Sequence, residues 1–347
     1  MLRSYLAAAL ACAAGLALTS HAQAGPVFDE VVSSGKLVCL VSPSAPGFSV
    51  PDSSGVFQGF NADFCRMAAA AILGDASKAD IRGIGFSDSL KSLVSRQAHI
   101  ASRSVTETGT RSADPGLAFV ATTFYDGQGF MVPKALGVKS ATELKGATIC
   151  AEDGSTTLLN IADWFAAHGF EYKVENIADK TARLQAFFAG KCDAYASDMT
   201  ALAADRRLAK NPDDYELLPE IISAEPLTLV AQPDETLEKA MRWAFQIMLN
   251  ADELGINSTN VDAAIADLDK QPKAVQRLFA KDGATADMAA KMKLPADWAY
   301  QVIKQVGSYG EVFDRHLGPE TPFKLKREGS QNASASKGGL MYAYPIR

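Results

Sequence analysis

Gly127-Gln128-Gly129-Phe130-Met131-Val132 is an extended apolar stretch lying between two blocks of sequence that read alike. On its N-terminal side short apolar runs alternate with helical patterns: a strand at 37–41, a helix at 61–73, a strand near 81–84, a helix at 88–95 and a strand at 98–102. On its C-terminal side the cycle repeats as strand 147–151, helix 156–168, strand 171–176, helix 180–189, strand 192–196 and helix 199–209. Strands joined through helices of this length predict a parallel sheet with helices on both faces. A second extended stretch, Pro226-Leu227-Thr228-Leu229-Val230, closes the second block. If both stretches cross between blocks, residues 132–225 form a lobe inserted between residues 25–131 and 226–347 of a first lobe. The expected fold is therefore α/β, two doubly wound sheets joined by two crossing strands. Its natural site is the cleft between the carboxyl ends of the strands, where a hinge lets the lobes close.

After the return, Leu237 to Leu249 reads as one amphipathic helix, with Leu237, Met241, Ala244, Phe245 and Met248 on one stripe. A helical extension runs to Gly310, and the Gly/Ser/Asn-rich stretch 329–336 reads as a loop.

The 347 residues carry 34 basic and 40 acidic side chains, so no positive surface exists for phosphate backbones or anionic membranes, and nucleic acid is excluded as a partner. Residues 1–24 run from Arg3 through an apolar stretch, Leu6 to Leu18, to Ala22-Gln23-Ala24, the layout of a cleavable signal peptide too short to span a bilayer. The expected product is an exported, soluble chain starting near Gly25. Cys12 lies inside the apolar stretch, but Ala9 stands where a lipoprotein cleavage box wants a branched apolar residue.

Of five cysteines, four remain after cleavage: Cys39, Cys65, Cys150 and Cys192. Four in an exported chain read as two disulfides with three possible connectivities. Each of the pairs Cys39 with Cys65 and Cys150 with Cys192 joins neighbouring elements of one segment, which favours that connectivity. A zinc site is the rival, yet there is no Cys-x-x-Cys pair and the remaining histidines, His99, His168 and His316, are far apart. No metal and no cofactor is expected.

Three loops follow strands that would face the cleft. Ser102-Arg103-Ser104-Val105-Thr106-Glu107-Thr108-Gly109-Thr110-Arg111 offers a guanidinium whose planar fork suits a carboxylate. Glu152-Asp153-Gly154-Ser155-Thr156-Thr157 opens a helix, whose N-terminal N–H groups and dipole favour an anion. Ser197-Asp198-Met199-Thr200 opens another and supplies the acceptor that an ammonium needs. Together they would clamp a zwitterion. Taken singly, each has a plainer reading: a surface ion pair for Arg111, a common helix start for Ser155-Thr156, and an N-cap for Asp198.

The sequence resembles the periplasmic solute-binding proteins of polar amino-acid ABC transporters, and within them the general L-amino-acid branch. The residues behind this are Gly59-Phe60-Asn61-Ala62-Asp63-Phe64-Cys65, Tyr125-Asp126-Gly127-Gln128-Gly129-Phe130-Met131, Leu218-Pro219-Glu220-Ile221-Ile222, Ile303 to Glu311 and the tail Gly338-Gly339-Leu340-Met341-Tyr342. The resemblance implies the two-lobe periplasmic binding protein fold of type II and a non-catalytic receptor. It would capture L-amino acids and deliver them to an inner-membrane permease and ATPase, and one ligand per cleft argues for a monomer. No P-loop occurs in the chain, so the energy source would be a separate polypeptide.

Position by position, the resemblance implies that Arg111 takes the ligand α-carboxylate, with Thr106 and the backbone at Ser104 near the α-groups. It places Ser155 and Thr156 on the carboxylate from the other lobe, Asp198 on the α-ammonium, and Phe48, with Leu90 or Phe86, along the side-chain pocket. The departures fall in the reading loop itself: Ser104 stands for an amide, Val105 for a hydroxyl and Glu107 for a tryptophan. Facing the ligand, Glu107 would favour a basic side chain; facing outward, it would have Arg103, four residues earlier, as a surface partner. Two alternatives follow from this loop. One is a periplasmic enzyme of the cyclohexadienyl dehydratase type with Glu107 as general acid, and the other is a receptor for another carboxylated amine. Service to a chemoreceptor is compatible with binding and is left open by the sequence.

Overall fold

The computed structural model describes residues 25–347; the signal peptide expected at 1–24, with Cys12, lies outside the described residues. Twelve strands follow in chain order: β1 (Leu37–Val41), β2 (Val50–Pro51), β3 (Phe57–Gln58), β4 (Ala79–Gly83), β5 (Ile100–Thr106), β6 (Ala118–Asp126), β7 (Gln128–Pro133), β8 (Thr148–Ala151), β9 (Lys173–Asn176), β10 (Ala194–Asp198), β11 (Tyr215–Leu217) and β12 (Glu225–Ala231). They form two five-stranded sheets, ordered β4-β1-β5-β12-β6 and β11-β7-β10-β8-β9, and the small hairpin β2-β3.

Each sheet is mixed rather than wholly parallel, and the crossings are the reason. β1 runs parallel to β4 and β5, and β8 parallel to β9 and β10, as crossover helices dictate. β7 and β12 instead enter their sheets from the hinge end, so they run antiparallel to β10 and to β5 and β6. β6 ends at Asp126 in the first sheet and β7 begins at Gln128 in the second. Only Gly127 separates them. A Cβ there would overlap the Ile221 side chain and lie 2.8 Å from the Ser223 carbonyl oxygen.

The first-lobe core is built on the helix Phe60–Leu73, in which all but two residues are buried. Its run Ala68 to Ala71 is fully buried, and the helix packs against the long helix Glu235–Glu253 and against Trp298–Gln305. The helix begins one residue earlier than the apolar pattern predicts, and Gly59 occupies the capping position at φ 129°. A Cβ at Gly59 would meet the Phe48 carbonyl. Asn61, in the first turn, is buried, and its Nδ2 donates to Ser104 Oγ at 3.1 Å. His99 is likewise buried, and its Nδ1 accepts the Val38 N–H at 2.9 Å.

The stretch 329–336 is irregular but tied down. Asn332 Oδ1 accepts the Tyr125 N–H at 2.7 Å, while its Nδ2 donates to the Tyr125 carbonyl at 2.9 Å. The second lobe buries smaller clusters, one around Phe130, Ile161 and Phe165 and one around Met131, Phe187 and Tyr195.

Both disulfides join the expected partners, Cys39 with Cys65 and Cys150 with Cys192, with Cα atoms 5.8 and 5.7 Å apart. Cys150–Cys192 closes the longer loop, a separation of 42 residues, in the lobe with less core. Replacing both of its cysteines by alanine should cost about 3–4 kcal/mol in the chain-entropy account. Urea unfolding monitored by a second-lobe signal, Trp164, checks this. An unchanged midpoint would show that the bond adds nothing to the unfolded-state constraint.

Candidate ligand cleft

β5 is longer than its hydrophobic pattern predicts. It was expected to end at Ser102, yet it runs to Thr106. Thr106 and Val105 pair with Leu227 and Thr228, while Ala101 pairs with Val230, so Ser102, Arg103 and Ser104 stand against Leu229 alone. The surplus bulges toward the cleft, and Ser104 takes up the strain at φ 57°, a conformation that few non-glycine residues adopt. The bulge places the Arg103 and Ser104 side chains on the wall of an interlobe cavity of about 250 Å³.

Arg111 stands at the mouth of this wall on the short helix Gly109–Ser112, capped by the Thr108 hydroxyl. Its Nη1 donates to the Thr106 carbonyl at 2.8 Å, and the guanidinium lies 4.9 Å from the Phe86 ring centroid. Burial pulls its pKa below the ordinary arginine value, against the opposing pull of Glu225 and Asp198. From the second lobe the helix Thr156–His168 points its N-terminus into the same cavity. Ser155 occupies the N-cap without capping by its side chain, and its Oγ donates instead to the Glu152 carbonyl at 2.7 Å. The helix's first N–H groups thus face the cleft without a side-chain cap.

Asp198, the last residue of β10 and first turn of the next helix, closes the far side. It does not cap that helix with its side chain. Its carboxyl is held well above the ordinary aspartate range, first by burial and then by the neighbouring charges of Asp126, Glu225 and Glu152, with Arg111 opposing. Phe48 lines the cavity but is mainly a core residue, set edge-on to Phe60 and Phe124 at 5.8 and 5.7 Å. Of the two side-chain-wall candidates, Phe86 lines the cavity, whereas Leu90 lines a separate depression beside Thr110 and Leu117.

Thr106 and Thr156 line the cleft, yet their hydroxyls donate to a protein carboxylate. Both reach Glu225 Oε2, at 2.5 and 3.3 Å. The other oxygen of Glu225 accepts from Asn160 Nδ2 at 2.6 Å and Ser223 Oγ at 2.5 Å. Glu225 is the first residue of β12, so one carboxylate at the crossing joins the first lobe to the second. Opposite it in the ladder stands Asp126, which accepts from the hydroxyl and backbone N–H of Thr200.

Glu107 does not line the interlobe cavity. It is exposed, accepts from Ser112 Oγ at 3.0 Å, and borders an outer depression with Arg242 and Tyr342. Nor is Arg103 its surface partner, because the bulge turns Arg103 inward and leaves it 7% exposed. Arg103, on the cavity wall, and Asp126 and Glu225, which hydrogen-bond the wall residues Thr106, Thr156 and Thr200, are residues that sequence reasoning did not single out. Two acidic residues adjoining the crossing strands were the available signal, since a carboxylate next to a buried crossing needs donors from both sides.

Burial raises the Asp126 carboxyl from 3.8 to about 6, with Glu225 adding to the shift and the Thr200 and Gly127 hydrogen bonds opposing it. The folded chain thus holds a proton that the unfolded chain has released between those values. The stability this confers is complete below pH 3.8 and is lost as pH rises through about 6. Asp126→Asn, which has no proton to lose, should leave unliganded stability at pH 4 nearly unchanged and raise it at pH 7. Urea unfolding at the two pH values measures the difference, and equal effects at both would contradict the assignment.

Comparison with known proteins agrees with this architecture. The family model described as bacterial extracellular solute-binding proteins, family 3, matches residues 37–318. The glutamate/glutamine/aspartate/asparagine-binding protein BztA of Rhodobacter capsulatus is 40% identical over 95% of this chain and 96% of its own length. The general L-amino acid-binding periplasmic protein AapJ of Rhizobium johnstonii is 38% identical over the full length of both. Among solved structures, a periplasmic binding protein from Brucella ovis with glutathione bound superposes with a TM-score of 0.87 at 36% identity, covering 92% of this chain and 99% of that one.

Proposed function

The chain belongs to the bacterial extracellular solute-binding proteins of family 3, and from that premise we propose how its cleft works as the substrate-binding component of an amino-acid ABC transporter. The observation that carries the reading is the placement of Arg111 and Asp198, one from each lobe, on the walls of one cavity. The ligand α-carboxylate takes the Arg111 guanidinium together with the free N–H groups at Ser155 and Thr156. Its α-ammonium takes Asp198, with the Ser104 backbone on the bulge nearby. The Thr106 and Thr156 hydroxyls serve Glu225 and hold the lobes in register rather than reading the ligand themselves.

Closing the lobes removes water from these charges, which strengthens each hydrogen bond and makes any unpaired partner costly. Because the two halves of the clamp come from different lobes, a ligand that satisfies both favours the closed form. The closed form would dock on an inner-membrane permease, with a separate ATPase driving release, after export of the chain to the periplasm through its N-terminal leader. The enzyme alternative needed Glu107 as an acid in the cleft, and Glu107 lies outside it. A carboxylated amine larger than an amino acid is a second reading, favoured by the glutathione in the Brucella ovis structure. Glutathione carries the same α-amino carboxylate head.

Arg111→Ala should weaken ligand binding by at least about 2 kcal/mol, because it strands a carboxylate in a closed cleft. Asp198→Asn should do the same through the ammonium. Calorimetric titration of protein unfolded and refolded to strip carried-over ligand, against the common L-amino acids and glutathione, measures both. Wild-type affinity in either variant would remove that residue from the clamp.

A further inference from the structure

The second arginine of the cleft is without a partner. Arg103 is 7% exposed, and its Nε and Nη1 are buried with no hydrogen-bond acceptor. Such a group is expensive to keep, because burial penalises the charge and no hydrogen bond offsets it. Desolvation accordingly pulls its pKa down to about 10. The protein holds the guanidinium in place nonetheless: the bulge of β5 turns it inward, and the Phe86 ring centroid lies 4.9 Å from it. The same ring lies 4.9 Å from the Arg111 guanidinium. The separation of the two cations is thus at most twice that distance, a span that a short dicarboxylate can bridge.

The charges lining the cavity point the same way. Lys180 pairs with Asp205 at 2.8 Å, and Arg183 lies 3.6 Å from Glu152. Asp179 is spent capping the helix that starts at Lys180. With Asp179 turned to its helix, Arg103, Arg111 and Asp198 are the other charged side chains of the cavity wall, among the described residues, without a salt bridge. Two guanidiniums and one carboxyl complement a ligand with two anionic groups and one ammonium.

From this arrangement we infer that Arg103 is the receptor for a second carboxylate, carried on the ligand side chain, so that the cleft selects acidic amino acids. The inference rests on the amino-acid reading above and adds the side-chain class. Phe86 holds both guanidiniums: Arg111 reads the α-carboxylate and Arg103 the distal one. Glu152, which lies 3.6 Å from Arg183, favours the cationic form of Arg103 through its charge.

The test compares two ligands of one shape and different charge. Calorimetric titration of the refolded protein should show L-glutamate binding more tightly than L-glutamine. Arg103→Gln should weaken L-glutamate at least about 30-fold and L-glutamine less than about 3-fold, while Arg103→Lys should recover part of the L-glutamate affinity. The ligand-free melting temperature of Arg103→Gln should be unchanged or higher, because the lost guanidinium had no acceptor. Equal losses for both ligands would place Arg103 on a group they share and overturn the assignment. So would a lower ligand-free melting temperature with both affinities lost, which would make Arg103 a structural residue. Wild-type protein that binds L-glutamine as well as L-glutamate would overturn this inference and leave the amino-acid reading standing. Binding of no amino acid at all would overturn both.

Discussion

One carboxylate at the chain crossing organises this molecule. Glu225 begins the strand that re-enters the first lobe, and it accepts hydroxyls from Thr106 on one side and Thr156 on the other, with Asn160 and Ser223 completing its shell. Without those donors a buried carboxylate would be costly, and with them it ties the relative position of the lobes to the geometry of four side chains. The site depends on this placement because its cationic and anionic halves sit on different sheets. Asp126, facing Glu225 across the ladder, places a second acid at the crossing, and Asp198 a third beside them. Burial, with this crowding added to it, raises the carboxyls of Asp126 and Asp198 above the ordinary aspartate range.

The opposite wall has the complementary character. Two guanidiniums share one aromatic ring, which attracts both without neutralising them. Their positions come from backbone features: a bulge for Arg103 and a single capped turn for Arg111. Acid at the hinge and base at the outer wall give the cavity a direction, and a zwitterion entering it has one favourable orientation.

How much of this was visible in the sequence depends on the kind of interaction. The alternation of strands and helices, the long helix after the return and both disulfides were legible, because each rests on local periodicity or on neighbours within one segment. The antiparallel sense of β7 and β12 follows from the crossings once their place is known. Arg103 was not legible, since a polar residue just past an apolar strand reads as solvated, and only the mismatch between β5 and β12 turns it inward. Glu107 misled for the same reason in reverse, its position in the loop implying a cleft from which the strand's extension to Thr106 removes it. Glu225 and Asp126 acquire their roles from residues far away in the chain, and no pattern in their own neighbourhood announces those partners.

The pairing of Asn332 with Tyr125 has a consequence of a different kind. β6 is the outermost strand of its sheet, and the Asn332 amide takes both peptide groups of Tyr125 as a neighbouring strand would. A side chain so placed blocks that position against the edge of another molecule, where an open strand invites aggregation. The block comes from a residue 207 positions further along the chain. Until that distant segment is made and docks, the edge at Tyr125 is open, and the nascent sheet is vulnerable to self-association there.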